Sequence, residues 1–409
     1  MILEGRLVST HTVESGQIRI VDGRIVEVGP DLGKADVSFG DECLIFAGMG
    51  DIHIHARDDV SETQIYKEDF CTVSAAAIHG GVVHVADMPN NPTAPIDDHS
   101  YDMKRLHLAR REVDIHVTLY AGIGPGTKPL SHDVPYKAYM GPSVGDLFFR
   151  SNQELDETLA NYTGCNVSFH CEDPECLEAH RGAALHEDRR PPECEQLATE
   201  FALEMIRKHR LRGKLCHYSV AEGLPLIRSA KKAGLPVTCE VTPHHLYFDR
   251  THITPENRGR MQMNPPLRTP ADRRAMIEAL RNGDVDYLAT DHAPHTIEEN
   301  EQGVSGQPHL DTYAAFVTWL IEEENFTPQH IAACCCQNPG DFVNPYTEDG
   351  RKFGRIEPGY TGSLTVVNLR RPWTVRANEL KTKCGWSPFE GITFPGSVEA
   401  VYLDGRRVS

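Results

Sequence analysis

The middle of the chain alternates short apolar runs with longer amphipathic stretches. Strand-like runs of β-branched and aromatic residues are predicted at positions 50–55, 82–88, 114–121, 136–140, 166–171, 215–220, 237–245 and 285–292. Helical patterns lie between them, for example at 69–79 and 195–209, and Gly80-Gly81 stands where a helix C-cap belongs. Eight strand–helix units in about 300 residues predict an α/β fold, a (β/α)8 TIM-like barrel.

Both ends of the chain read differently, as short strands separated by turn residues. The N-terminal runs are 2–7, 17–21 and 24–28, and the C-terminal runs are 363–368 and 398–403, with Asp404-Gly405 as a hairpin turn. Neither end is long enough for a good core of its own. We therefore predict that residues 1–48 and 346–409 form one small β-sandwich domain, and that 49–345 form the barrel.

Composition narrows the functional classes. The 409 residues carry a formal charge of −18, which argues against binding to nucleic-acid backbones or anionic membrane surfaces. No apolar run reaches the ~18 residues of a membrane span, and the first residues lack a signal-peptide pattern. The 12 cysteines include no Cys-x-x-Cys pair, so we expect reduced, mostly buried thiols in a cytoplasmic protein.

Polar side chains cluster where the first barrel strand ends. In Asp51-Ile52-His53-Ile54-His55-Ala56-Arg57, His53 and His55 share one face of the strand with Arg57, because side chains alternate along a strand. Two imidazoles next to a guanidinium suggest half of a metal site with an anion-binding group beside it.

Comparable residues occur at the ends of the other predicted strands, where barrel enzymes place their catalytic groups. They are Asn90, Lys137, His170, His217, His244, His245, Asp291 and His295. Imidazole and carboxylate ligands suit Zn²⁺ or a similar divalent ion. His53, His55, His170, His217 and Asp291 exceed the ligands of one catalytic zinc, so two adjacent ions are predicted. Spacing alone would make Lys137 a solvated lysine.

These segments resemble the dihydroorotases, in the cyclic-amidase branch of the amidohydrolase superfamily, over nearly the whole chain. The segments that carry the resemblance begin at Asp51, Gly80, Lys137, Phe169, His217, Cys239, Asn264, Ala289 and Lys383. They read DIHIHAR, GG with MPN eight residues on, KAYMG, FHCED, HYSVAE, CEVTPHH, NPPLR, ATDHAPH and KCGWSPFEG. Together they are specific, although none of them would be so alone.

The resemblance implies a role for each matched residue. His53, His55 and Asp291 would hold one Zn²⁺, His170 and His217 the second, and an N6-carboxylated Lys137 would bridge the two. Arg57, Asn90 and His295 would bind a substrate carboxylate, as a planar guanidinium can do with two parallel hydrogen bonds. The segment from Asn264 to Leu267 would contact the ring amides.

The same resemblance implies a reaction, the reversible opening of L-dihydroorotate to N-carbamoyl-L-aspartate in pyrimidine biosynthesis. A hydroxide between the two ions would attack the ring carbonyl, and Asp291 would act as general base and then acid. The partners implied are a small-molecule substrate, further copies of the chain in a dimer or tetramer, and aspartate transcarbamoylase.

Two alternatives stay open. Asp58-Asp59 and Asn91 depart from the family pattern in loops near the site, which leaves the substrate fit in doubt. A hydantoinase, dihydropyrimidinase or allantoinase would share the metal ligands, but a ring without a carboxylate would leave Arg57 unpaired. A non-catalytic scaffold would tolerate loss of ligands, and no ligand is lost here.

Overall fold

The N-terminal strands begin a large mixed sheet. The computed structural model describes residues 1–142 and 147–409. Its first strands are β1 (Ile2–Val8), β2 (Val13–Val21), β3 (Arg24–Gly29), β4 (Val37–Ser38) and β5 (Cys43–Ala47). Strands β1, β2 and β3 form an antiparallel meander, and β5 pairs parallel with the other side of β1.

The middle of the chain forms the barrel. Its strands are β6 (Met49–Ile54), β7 (Val82–Asp87), β8 (His116–Leu119), β9 (Ala121–Ile123), β10 (Tyr136–Tyr139), β11 (Asn166–His170), β12 (Arg212–Leu215), β13 (Val237–Val241) and β14 (Tyr287–Leu288). Strands β6 to β8 are parallel, as are β9 to β14, and β8 and β9 together supply the third barrel strand. A parallel bridge between Ile54 and His292 connects the last strand segment to the first.

Helices alternate with these strands. They are α1 (Phe70–His79), α2 (Asp98–Leu108), α3 (Asn152–Leu159), α4 (Pro174–His180), α5 (His186–Arg189), α6 (Pro192–Lys208), α7 (Leu224–Lys232), α8 (Pro243–Tyr247), α9 (Pro270–Asn282), α10 (Ile297–Glu301), α11 (Tyr313–Glu322), α12 (Pro328–Ile331) and α13 (Asn338–Val343). Helix α1 begins and ends at the signals in its sequence. Asp69 and Thr72 form a capping box at its start, and Gly81, with φ 80°, follows its end. In the described ranges, no helix combines the length and hydropathy needed to cross a bilayer.

The C-terminal strands join the N-terminal sheet. They are β15 (Leu364–Asn368), β16 (Trp373–Thr374), β17 (Thr393–Phe394), β18 (Ser397–Leu403) and β19 (Arg406–Arg407). Strand β15 pairs with β5 on one side and β18 on the other, so both chain ends share one eight-stranded sheet with its own apolar cluster. The α/β barrel with a β-rich unit from both termini is therefore confirmed, and the exact domain boundaries stay predictions.

Three predicted strands differ from the structure. The sixth barrel strand is Arg212–Leu215 rather than 215–220, so His217 follows the strand instead of lying within it. The seventh ends at Val241, because Thr242 caps a helix in which Pro243 takes the first position, where a missing N–H costs nothing. The eighth keeps only Tyr287–Leu288 as regular strand.

One cysteine expectation is wrong. Cys176 and Cys194 form a disulfide, with Cα atoms 5.3 Å apart, because helices α4 and α6 begin side by side. The expectation of reduced thiols holds for the other ten cysteines, which are free. Cys334, Cys335 and Cys336 are buried on a π-helical turn, Ala332–Gln337, as packing residues.

Candidate metal centre and substrate cavity

A narrow cavity opens at the carboxyl ends of the barrel strands. This is the end at which barrel enzymes carry their functional loops. The residues that line it are His53, His55, Arg57, Asn90, Lys137, Tyr139, His170, His217, His244, Met263, Asn264, Asp291, Ala293, Ser305, Gly306 and Gln307. The structure therefore brings the predicted site residues to one cavity except His245 and His295, and His295 contacts Arg57 at the side of the cavity.

Three potential ligand atoms meet at one point of this cavity. The Nε2 atoms of His53 and His55 lie 3.1 and 3.0 Å from Oδ1 of Asp291. The Nδ1 atom of His55 contacts Oδ1 of Asn90 at 2.7 Å, and only an Nδ1–H donor satisfies that contact. Burial lowers the pKa of His55 to about 3, so its ring is neutral and its Nε2 carries a lone pair. Burial disfavours the charged form of His53, but Glu240 and Asp291 outweigh this and raise the pKa of His53, so without a metal ion a protonated His53 can donate to Asp291. The lone pair of His55 beside the Asp291 carboxylate is an arrangement that a bound cation would stabilise.

A second pair of ring nitrogens lies deeper in the barrel. His170 stands at the end of β11, and His217 stands just after β12 with φ 38°. Nδ1 of His170 is 2.8 Å from Nε2 of His217. Ligand atoms of His53, His217 and Asp291 also lie within 4.8 Å of one another, so the two groups are adjacent.

Lys137 lies beside both groups at the second position of β10. Its side chain is fully buried, and its Nζ has no hydrogen-bond partner among the described residues. A buried ammonium without a partner is unfavourable. An anionic oxygen donor on this nitrogen would instead complete the ligand set, so these residues fit a two-ion centre of the kind that the sequence suggested.

Glu240, which the sequence analysis missed, supports both groups. On β13, its carboxylate contacts Nδ1 of His53, accepts the backbone N–H of His217 at 3.2 Å, and pairs with Lys214. Burial disfavours its charged form, but Lys214 and His53 outweigh this and hold the pKa of Glu240 well below its usual range. Because Nδ1 of His53 is engaged, Nε2 is the atom directed at Asp291.

Glu172 has the same relation to His170. Its Oε2 lies 2.8 Å from Nε2 of His170 and also contacts Arg190. Burial opposes ionisation, but Arg190 and His170 lower the pKa of Glu172 to about 2. The ring is thereby turned so that Nδ1 faces His217. Acidic residues that directly follow a candidate ligand, as in His170-Cys171-Glu172, were the available sequence signal.

A cationic group stands at the other side of the cavity. Arg57 is buried with φ 57°, and its guanidinium lies 3.0 Å from Nε2 of His295 and donates to the carbonyl of Pro294 at 3.3 Å. Lys67 lies 3.2 Å from the other ring nitrogen of His295. Lys67 is already paired with Glu299 at 2.9 Å, whereas Arg57 forms no ion pair among the described residues. The Arg57 guanidinium is therefore the group in this pocket that is suited to bind an anion.

The remaining predicted residues hold neighbouring positions. Asn264 lines the cavity, and its Oδ1 has no partner among the described residues. His244 also lines it, with Nδ1 2.9 Å from Nε2 of His309, whereas His245 contacts the carbonyl of Pro265. Asp51 is turned away and accepts the N–H of Thr290 at 3.1 Å, which fixes the segment before Asp291.

Known proteins resemble this chain along its whole length. The model of the amidohydrolase family matches residues 44–408. Dihydroorotase of Pyrococcus furiosus is 32% identical, covering 100% of this chain and 92% of that protein, and dihydroorotase of Thermococcus kodakarensis is 32% identical, covering 100% and 94%.

Solved structures share the fold at lower sequence identity. L-Hydantoinase (dihydropyrimidinase) from Arthrobacter aurescens has a TM-score of 0.88 and 22% identity, covering 100% of this chain and 95% of that one. A D-hydantoinase has a TM-score of 0.86 and 20% identity, covering 100% and 94%. The chain therefore belongs to the amidohydrolase family and is a metal-dependent cyclic amidohydrolase of the dihydroorotase type.

Proposed function

We propose that this protein interconverts L-dihydroorotate and N-carbamoyl-L-aspartate, a step of pyrimidine biosynthesis, with two Zn²⁺ ions per subunit. The observation that carries the proposal is the buried Arg57–His295 pair in the same cavity as the converging histidines and Asp291. A cyclic amide with a ring carboxylate satisfies both ends of that cavity. The identity with dihydroorotases supports the same substrate.

The chain's own residues supply the ligands. His53, His55 and Asp291 would hold one ion, His170 and His217 the other, and Lys137, carboxylated on Nζ, would bridge them. Bound ions of this kind polarise an amide carbonyl and lower the pKa of water to near neutrality.

Arg57 orients the substrate. Its guanidinium would hold the ring carboxylate through two parallel hydrogen bonds, with Asn90 and His295 at the flanks and Asn264 beside the ring amides. Among the described residues Arg57 forms no direct ion pair, so a ring carboxylate would supply one, and rings without a carboxylate would bind less well. This fixes the scissile amide beside Asp291.

Asp291 moves the proton. In ring opening it would take a proton from the attacking water and deliver it to the leaving ring nitrogen, and ring closure would use the same steps in reverse. Its place next to Nε2 of both His53 and His55 keeps the carboxylate oriented for that transfer.

Three further parts of the proposal concern the setting of the enzyme. We infer a homo-oligomer, a dimer or a tetramer, that acts in the cytoplasm and can associate with aspartate transcarbamoylase. Size-exclusion chromatography with light scattering, alone and with that enzyme, tests the assembly. A monomer that does not shift on mixing would contradict both statements.

The first test is hydrolysis of L-dihydroorotate by zinc-loaded protein, followed as loss of ring absorbance. We expect turnover that Arg57→Ala lowers by about a hundredfold or more in kcat/KM, because a charged hydrogen-bonded pair is lost. Hydantoin and allantoin serve as carboxylate-free controls, and Arg57→Ala should scarcely affect them. Turnover of those rings without dihydroorotate turnover would favour a hydantoinase or allantoinase, and no turnover of any ring would favour a scaffold.

A further inference from the structure

Gln307 is a buried polar residue of the cavity that the proposed function has not used. Its side chain is 1% exposed, it lines the cavity, and its Oε1 has no hydrogen-bond partner among the described residues. A buried carbonyl oxygen without a donor is unfavourable, so such atoms are rare unless a ligand completes them. The side chain is therefore a candidate for ligand contact.

The orientation of the Gln307 amide follows from its other contacts. Its NH₂ group donates to the carbonyl of Arg260 at 2.6 Å and lies 3.8 Å from the Sδ of Met261. Because a carbonyl can only accept, the nitrogen must face Arg260 and the oxygen must face away from it. The amide thus has one defined orientation.

The backbone holds Gln307 close to the catalytic strand end. Its carbonyl accepts the N–H of Ala293 at 2.8 Å, and it forms a parallel bridge with His292, the neighbour of Asp291. Gly306 before it has φ 138°, and a Cβ there would lie 2.5 Å from the carbonyl of Ala293. The Gly306-Gln307 segment therefore packs closely against the strand end and forms a fixed wall of the cavity.

This wall of the cavity offers acceptor oxygens without donors, and that indicates what kind of ligand would fit. Arg57 and a two-ion centre attract anions and carbonyl oxygens, whereas Gln307 Oε1 needs a donor. Asn264, on the segment that follows Arg260, also lines the cavity, and its Oδ1 has no partner among the described residues. A cyclic ureide has N–H donors on the same ring as its carbonyls.

We propose that Gln307 Oε1 accepts a ring N–H of the cyclic ureide substrate and makes the enzyme select rings with that N–H. The proposal rests on the proposed function for its substrate and deepens it. An N-methylated ring would lose the hydrogen bond and meet a buried oxygen, so it should be rejected, as sites built for a polar group reject analogues without it.

The test compares L-dihydroorotate with its N1-methyl and N3-methyl analogues. In the wild type, we expect one of the two analogues to lose at least about tenfold in kcat/KM. Gln307→Met, which keeps the side-chain length without the amide, should lower kcat/KM for dihydroorotate by about 10- to 100-fold and remove most of that discrimination. A variant that had only lost structure would show the same fractional loss of kcat/KM for dihydroorotate and for both methyl analogues.

Gln262→Met is the matched control. Its amide donates to Gly303 and Ser305 in the same loop, but Gln262 is not part of the wall that lines the cavity. We expect this variant to keep the wild-type discrimination between the ring and its methyl analogues. Equal discrimination in the wild type, Gln307→Met and Gln262→Met would overturn the proposal.

The two proposals can fail separately. If the wild type does not open dihydroorotate but opens hydantoin, the substrate assignment is wrong. The same variants are then compared on hydantoin and its N-methyl derivatives. If neither ring is opened, calorimetric titration with orotate and N-methylorotates gives the comparison. Failure of the wild type to bind any of these ureides would overturn the assignment of Gln307 as well.

Discussion

At the scale of single residues, Lys137 is the residue on which the proposed second metal ion depends. Its buried Nζ has no hydrogen-bond partner among the described residues. The rings of His170 and His217 contact each other, and His217 lies next to His53 and Asp291. A carboxylated lysine would give an anion to both ions, whereas a plain ammonium would repel them.

We therefore expect Lys137→Ala to bind less than two Zn²⁺ per subunit and to lose more than about a hundredfold in activity. Zinc can be counted by atomic emission after desalting, alongside turnover of dihydroorotate. Acetate should restore part of both values by supplying the missing carboxylate, and acetamide, of the same shape without charge, should not. Full activity with two zinc ions in the variant would mean that another group bridges them.

Glu240 allows a second residue-scale prediction. Because its carboxylate orients His53 and the backbone of His217, Glu240→Gln should raise the dissociation constant for zinc by about 10- to 100-fold. Competition with a chromogenic chelator measures this. Glu195→Gln is the control: Glu195 is equally buried but pairs with Ser219 and Arg268. Equal zinc affinity in Glu240→Gln and the wild type would contradict the role.

Residues such as Glu240 mark the limit of sequence reasoning at this scale. His53-x-His55 share a strand face by local geometry, so alternation alone paired them. Glu240 is 187 positions from His53 in the chain, and its carboxylate meets Nδ1 only after the barrel closes. Nothing in the local pattern at 237–241 distinguishes that carboxylate from a solvated one.

At the scale of elements, strand ends were the least predictable feature. The apolar run at 215–220 looked like a strand, but β12 ends at Leu215 and the N–H of Tyr218 instead donates to the carbonyl of Glu240. The alternation pattern does not encode the positive φ of His217 that ends pairing there. Periodicity thus found the eight units, while tertiary contacts set where each strand stops.

The disulfide between α4 and α6 allows a prediction at the same scale. It closes a loop of 18 residues that contains Arg190, the partner of Glu172. Replacing Cys176 and Cys194 by Ser should lower the free energy of unfolding by about 3 kcal/mol, chiefly by freeing the unfolded chain. Urea titration measures this free energy. Reduction with dithiothreitol should lower the free energy of unfolding of the wild type to that of the variant. A free energy of unfolding of the wild type that does not change with dithiothreitol would contradict the prediction.

At the scale of the whole molecule, burial of neutral histidines makes stability depend on pH. His84 is buried beneath Phe353, with ring centroids 4.8 Å apart, and fills the space above Gly50. Neither of its ring nitrogens has a partner among the described residues. Burial, with His116 nearby, lowers the pKa of His84 to about 3, and burial also lowers the pKa of His116 to about 4.

The direction of the pH effect follows from those shifts. Below about pH 6.5 the unfolded chain protonates these rings while the folded chain keeps them neutral, so stability present above pH 6.5 is lost as pH falls towards 3. His84→Phe keeps a ring that packs on Phe353 and should remove about 1.4 kcal/mol of that loss per pH unit between roughly 6 and 4. Denaturant titrations at stepped pH give the slope. Parallel slopes for His84→Phe and the wild type would show that His84 is protonated as readily in the folded protein as in the unfolded chain.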